Sequence, residues 1–167
     1  DIARPYLSRL SNAFREASCI AIDDDMMALY IDVVDGPDGM LKIMQHIGKR
    51  SPLHCSGVGK CLLLNYDEHM LDMFIEKKGL PAFTANTITT KDGLINELNL
   101  IRERGYSIDN EECEIGARCI ACGVKDFSGK IAAAISISGP SSRMTDSAIK
   151  EISVPLMEAA REISTTI

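Results

Sequence analysis

Leu7, Leu10, Phe14 and Ala17 recur at helical spacing with Pro5 near the first turn, so residues 2–17 predict an amphipathic helix. The apolar run from Cys19 to Ile22 predicts a short strand, and Asp23, Asp24 and Asp25 a turn. The return strand is predicted over 27–34. Breakers between Asp35 and Gly39 mark a second turn, and 40–44 reads as another strand. An apolar run through 61–64 continues a helix that starts after Ser56. A further helix over 67–77 places Leu71, Phe74 and Ile75 on one face and ends at Gly79-Leu-Pro81. After a polar connector, 91–104 is helical through Leu94, Ile95, Leu98 and Ile101, with Gly105 as its stop. A strand starts at 106–109. Strands at 119–124 and 131–138 are joined by the hairpin turn Asp126-Phe-Ser-Gly-Lys130, and Gly139-Pro140 ends the second. Thr145 caps a last helix whose inner face carries Ile149, Ile152, Leu156, Ala160 and Ile163. Pro155 lies inside it, where an interior proline costs about 3 kcal/mol, so a kink is expected.

Helix, three strands, three helices, three strands, helix is the order of an α+β domain. Its helices flank an antiparallel sheet of about six strands. At 167 residues the chain suits one domain, and with 46% hydrophobic but only 5% aromatic residues its core must be aliphatic. The formal charge of −6 argues against direct contact with nucleic acid. No apolar run approaches the roughly 20 residues that cross a bilayer, and no signal peptide is visible. The start at Asp1, already in a helical pattern, reads as a piece of a longer protein. The six cysteines, in an aliphatic chain without an export signal, are expected to be reduced thiols in cytoplasm.

Three places cluster polar residues among apolar ones. In the first, Ser56 precedes Gly57-Val58-Gly59 and an apolar run. This is either a helix start with amides open to an anion or a glycine-rich turn that packs a helix on a sheet. It is not a Walker loop, because His54 occupies the place of the first glycine and Cys61 that of the Ser or Thr. The second is Asp109-Asn-Glu-Glu-Cys-Glu-Ile-Gly116, leading to Arg118 and Cys119. The third is Ser136 and Ser138, whose hydroxyls share one face of a strand opposite Ile135 and Ile137. They converge on a small polar ligand, or the two serines and Asp109 are simply solvated. Cys119 and Cys122 form a C-x-x-C, but on a strand their sulfurs point to opposite faces, which argues against a shared metal. The acidic triplet lacks the glycine and distal glutamate of a calcium loop. A Cys–His dyad from His54 with Cys55 or Cys119 has no group to orient the histidine, so no catalytic residue is assigned.

Ser51-Pro-Leu-His-Cys-Ser-Gly-Val-Gly-Lys60 resembles the LPLHASGxGKALLA segment of the IclR family of bacterial transcriptional regulators. Gly105-Tyr-Ser-Ile-Asp-Asn-Glu-Glu112, then Cys119-Ile-Ala121, Val124 and Asp126, resembles the signature of the family's regulatory domain. The run from Ile131 to Arg143 resembles its strand and following turn. Lys125 departs from the signature, which usually has an aromatic or His there. The resemblance covers nearly the whole chain and implies a GAF-like effector-binding domain over 18–167. Residues 1–17 would form the helix that joins it to an absent N-terminal winged helix-turn-helix. It also implies a ligand pocket lined by Gly57, Val58, Asp109, Cys119, Ser136 and Ser138, with Met40, Ser51 and Ala117 in the wall. Ligands would be small organic acids, sugar acids or aromatic acids, and no cofactor is implied. The protein would be a homodimer or tetramer, reaching operator DNA only through the missing domain. The alternatives are a cysteine-based redox enzyme and a metal sensor on the same fold. Asp109 cannot pair with an anion. It either accepts a ligand hydroxyl, the preferred reading, which favours hydroxy or sugar acids, or is protonated or caps local amides.

Overall fold

The computed structural model describes residues 2–36 and 46–167. Helix α1 (Arg4–Phe14) leads into a six-stranded antiparallel sheet. Its strands are β1 (Ala17–Asp24), β2 (Met27–Val34), β3 (Arg50–Pro52), β4 (Ser107–Asn110), β5 (Ala117–Lys125) and β6 (Ile131–Pro140). The order across the sheet is β3-β2-β1-β6-β5-β4, so the two halves of the chain meet where β1 pairs with β6. Helices α2 (Gly57–Leu62), α3 (Glu68–Lys78) and α4 (Lys91–Arg104) connect the halves, and α5 (Asp146–Ser164) closes the chain.

The two faces of the sheet bury different cores. Ile20, Ile120, Ile135 and Ile137 pack with Leu7 and Leu10 of α1 and with Ile149, Ile152, Leu156 and Ile163 of α5. Cys19, Ala21, Ala28, Tyr30, Ala121 and Ala134 face α2, α3 and α4, against Val58, Leu62, Phe74, Leu94 and Ile101. Small and polar residues thus dominate the second face of the sheet, where the first carries isoleucines. Among the described residues no helix is long and apolar enough to cross a membrane.

Local chemistry explains the ends of these elements. Asp67, Thr90 and Thr145 each accept an amide hydrogen bond at the start of α3, α4 and α5. Gly105 ends α4 at φ 94°, a conformation glycine adopts without strain. The β1–β2 turn is built on Asp25 and Met26 at φ 53° and 63°. The acidic residues beside it have ordinary partners: Asp23 accepts from the Met26 amide at 3.1 Å and the Tyr66 hydroxyl at 2.6 Å, and Asp24 pairs with Arg50.

The strand expected at 40–44 lies outside the described residues. The third described strand is Arg50–Pro52, inside the stretch read from sequence as the approach to a helix. Helix α5 continues through Pro155, held by the buried Ile152 and Leu156 on either side.

Candidate functional site

Helix α2 sits directly on the polar face of the sheet. Ser56 caps it from an extended conformation: its Oγ accepts from the Gly59 amide at 3.1 Å and donates to the Pro52 carbonyl at 2.7 Å. The Ser107 hydroxyl donates to the Gly57 carbonyl at 2.6 Å, tying the first turn to β4. A Cβ on Gly57 would lie 2.5 Å from Cys119 Sγ and 3.2 Å from Ala121 Cβ, so only glycine lets the helix start this close to β5. The Gly57 amide faces the Cys119 sulfur. The helix start is therefore partly engaged by the protein itself. The Val58 side chain is buried in the aliphatic core.

Strand register assembles the rest. Asp109 lies opposite Cys119, Cys119 opposite Ser138, Ser138 opposite Ala17, and Ser136 between Cys19 and Ala121. Directly opposed residues share a face. Ala117, two positions before Cys119 and opposite Pro140, shares it too. Ser136 and Ser138 are 1% and 5% exposed, which rules out a solvated sheet face as their setting. The Ser136 hydroxyl and the Cys19 sulfur are 2.9 Å apart. At the other edge, the buried Ser51 hydroxyl donates to the Tyr30 hydroxyl at 3.2 Å. Burial, then the neighbouring Cys19, raises the Tyr30 phenol well above its usual range, the Ser51 hydrogen bond opposing both. Met40 lies outside the described residues.

Asp109 is half-buried, and its Oδ1 accepts from the Glu112 amide at 2.8 Å. With this oxygen it caps the loop between β4 and β5. Burial pushes its carboxyl up to about 7, opposed by that amide and supported by the charge of Glu112.

Residues 1–165 match the sequence model of the family described as bacterial transcriptional regulator IclR C-terminal. The chain belongs to this family. It is 38% identical over 162 residues to the HTH-type transcriptional regulator BhcR of Paracoccus denitrificans, a match covering 97% of this chain and 58% of BhcR. The chain thus spans about six-tenths of the length of the curated relatives it matches. The crystal structure of Thermotoga maritima IclR superimposes with a TM-score of 0.93 at 34% identity, covering 99% of this chain and 67% of that one. The inducer-binding domain of a PobR double mutant from Acinetobacter, solved with 3-hydroxybenzoic acid, gives 0.91 at 25% identity, covering 99% and 97%. The IclR C-terminal domain is the effector-binding part of a regulator, and its known relatives here are regulators rather than enzymes.

The lysine of the IclR-like segment has a structural task. Lys60 is wholly buried, and its Nζ donates to Glu97 at 2.7 Å, the Ile108 carbonyl at 2.6 Å and both oxygens of Glu112 at 2.9 and 3.0 Å. Burial alone would lower its pKa, but the two carboxylates outweigh it and hold the ammonium charged. The triad ties α2 to α4 and to the loop after Asp109. His54 is equally structural: its Nε2 lies 2.9 Å from the Pro81 carbonyl, its ring is near Phe83, and burial lowers its pKa. Cys119 faces α2 whereas Cys122 packs with the α5 core, so the C-x-x-C sulfurs do diverge.

Sequence reasoning missed Cys19, Tyr30, Ser107, Lys60 and Glu112. Only the β1–β6 pairing brings Cys19 to Ser136, and nothing local predicts it. A separate cleft of about 610 Å³ opens between α4, α5, β5 and β6, lined by Arg102, Cys122, Lys125 and Arg161, away from this site.

Proposed function

We propose that this IclR-type effector-binding domain holds a small carboxylic acid between the start of α2 and the polar face of β1, β5 and β6. Binding would bias DNA recognition by an N-terminal domain joined through α1. One observation carries the reading: the buried face beneath α2 is lined by Cys19, Cys119, Ser136 and Ser138, with the half-buried Asp109 beside them, where the opposite face is mainly aliphatic. A core built only for stability has no use for so many polar groups. The PobR domain, of the same fold, takes a hydroxylated carboxylic acid.

Hydroxyls of Ser136 and Ser138, with backbone amides near Gly57 and Val58, supply donors to a carboxylate. Asp109 does not oppose it, because a carboxyl near 7 is readily protonated and then donates. The serine hydroxyls around it suit hydroxy or sugar acids. Ser51 adds a hydroxyl and Ala117 adds room.

Calorimetry with acetate, glycolate, glycerate and 3-hydroxybenzoate tests the reading, with native mass spectrometry against a metabolite pool. At least one carboxylic acid should bind and dissociate unchanged. Retention of only neutral or cationic compounds would overturn it.

A further inference from the structure

Cys55 and Cys113 place their sulfurs 2.7 Å apart, bridging two loops 58 positions apart in sequence. Cys55 lies in the turn before α2, and Cys113 in the loop between β4 and β5. Neither belongs to a strand ladder, so the backbone can give the fraction of an ångström that separates contact from a bond of about 2.05 Å. Every other thiol has a different neighbour: Cys19 meets Ser136, Cys61 meets Ser107, Cys122 meets the Gly105 carbonyl and Cys119 the Gly57 amide. Cys55 also stands where the IclR segment quoted above has alanine, so the pair does not come with that motif.

We propose that Cys55 and Cys113 form a reversible intramolecular disulfide when the protein meets hydrogen peroxide. Cys55 is buried and Cys113 half-buried, so the oxidant reaches Cys113. Its thiolate attacks one peroxide oxygen, the O–O bond breaks, and the departing hydroxide takes a proton to become water. Cys113 is left as a sulfenic acid. Cys55 then loses its proton and attacks that sulfur. The S–O bond breaks, a second water leaves, and two thiols have been oxidised by one hydrogen peroxide. The hydrogen bond from Cys113 to Cys55, then burial, raises the Cys113 thiol well above its usual range. Thiolate is therefore scarce, and the reaction is slow at neutral pH and quickens as pH rises. This is a stoichiometric modification, not catalysis. It staples the loop that carries Glu112, the partner of Lys60, to the segment that leads into α2.

The test treats the native chain with hydrogen peroxide, blocks remaining thiols under denaturing conditions, and maps peptides without reduction. The expected result is loss of two hydrogens per chain, a single cross-link between the peptides holding Cys55 and Cys113, and reversal by dithiothreitol. Cys113→Ser should lose the cross-link, and Cys122→Ser should keep it. Sulfinic or sulfonic acid on Cys113 without a cross-link, a different pairing, or a cross-link persisting in Cys113→Ser would overturn the proposal. Since no effector enters the experiment, its failure leaves the carboxylate reading standing, and the reverse holds too.

Discussion

Replacing Asp109 by asparagine should abolish a pH dependence expected of carboxylate binding at the proposed site. Burial holds the Asp109 carboxyl at about 7, against an ordinary 3.8. If a carboxylate ligand meets only the protonated form, apparent affinity scales with the protonated fraction. That fraction is about nine-tenths at pH 6 and about one-tenth at pH 8, so the apparent Kd should rise about tenfold, or about 1.4 kcal/mol, across this window. Small carboxylic acids are ionised throughout it, and His54, its pKa lowered by burial, sits against the Pro81 carbonyl. The charged neighbours of Asp109 are Glu112 and Lys60, already locked together. The amide of Asp109→Asn keeps the oxygen that accepts from the Glu112 amide and loses only the ionisation, so the variant should bind with a flat profile, tighter than wild type at pH 8. Stability follows the same sign. A raised carboxyl contributes most below 3.8 and loses that contribution as pH rises through about 7, so wild type should lose Tm relative to Asp109→Asn between pH 5 and 8. Calorimetry at pH 6, 7 and 8 reads the first effect. An affinity that rises with pH for a hydroxy acid but not for its deoxy analogue would refute the reasoning and return Asp109 to the role of hydroxyl acceptor.

Ser136→Ala with Ser138→Ala should weaken carboxylate binding by about 1–3 kcal/mol, measured by calorimetry, since both remove buried donors; unchanged affinity would take the serines out of the site. Gly57→Ala should cost about 1–3 kcal/mol in denaturant unfolding, because the new Cβ meets Cys119 Sγ at 2.5 Å, and Cys119→Ala in the same chain should recover part of it. Lys60→Met leaves Glu97 and Glu112 without their cation and should cost about 3–5 kcal/mol in denaturant unfolding. These 167 residues alone, at a net charge of −6, should show no sequence-dependent retention of DNA in a gel shift.

What was legible in the sequence was whatever local chemistry decides. The cap at Thr145, the stop at Gly105 and the hairpin from Asp126 to Lys130 are each written in adjacent residues, and the structure places them there. The alternation of Ser136 and Ser138 with Ile135 and Ile137 gave the two faces of β6, because a strand has period two. It could not say which face meets water: here both are buried, one by α1 and α5, the other by α2. That distinction needs the topology, and so does the site. Cys19 meets Ser136 across 117 positions, and Lys60 meets Glu112 across 52. The lysine shows the limit most clearly. In the sequence it is one residue of the IclR-like segment, with no partner in view. In the fold two carboxylates and a carbonyl already consume it, and no ligand is left to it. A ligand at the proposed site would therefore be recognised by dipoles, the serine hydroxyls and backbone amides, with Asp109 adjusting its proton. Such a site discriminates by geometry and by pH more than by charge. Its affinity should respond weakly to ionic strength, since dipoles within a buried cluster are little screened by salt. A titration of the best-binding carboxylate at low and high salt, at constant pH, should give nearly superimposable isotherms. A steep loss of affinity with salt would mean that an exposed cation steers the ligand, and would shift attention to the basic cleft of Arg102, Lys125 and Arg161.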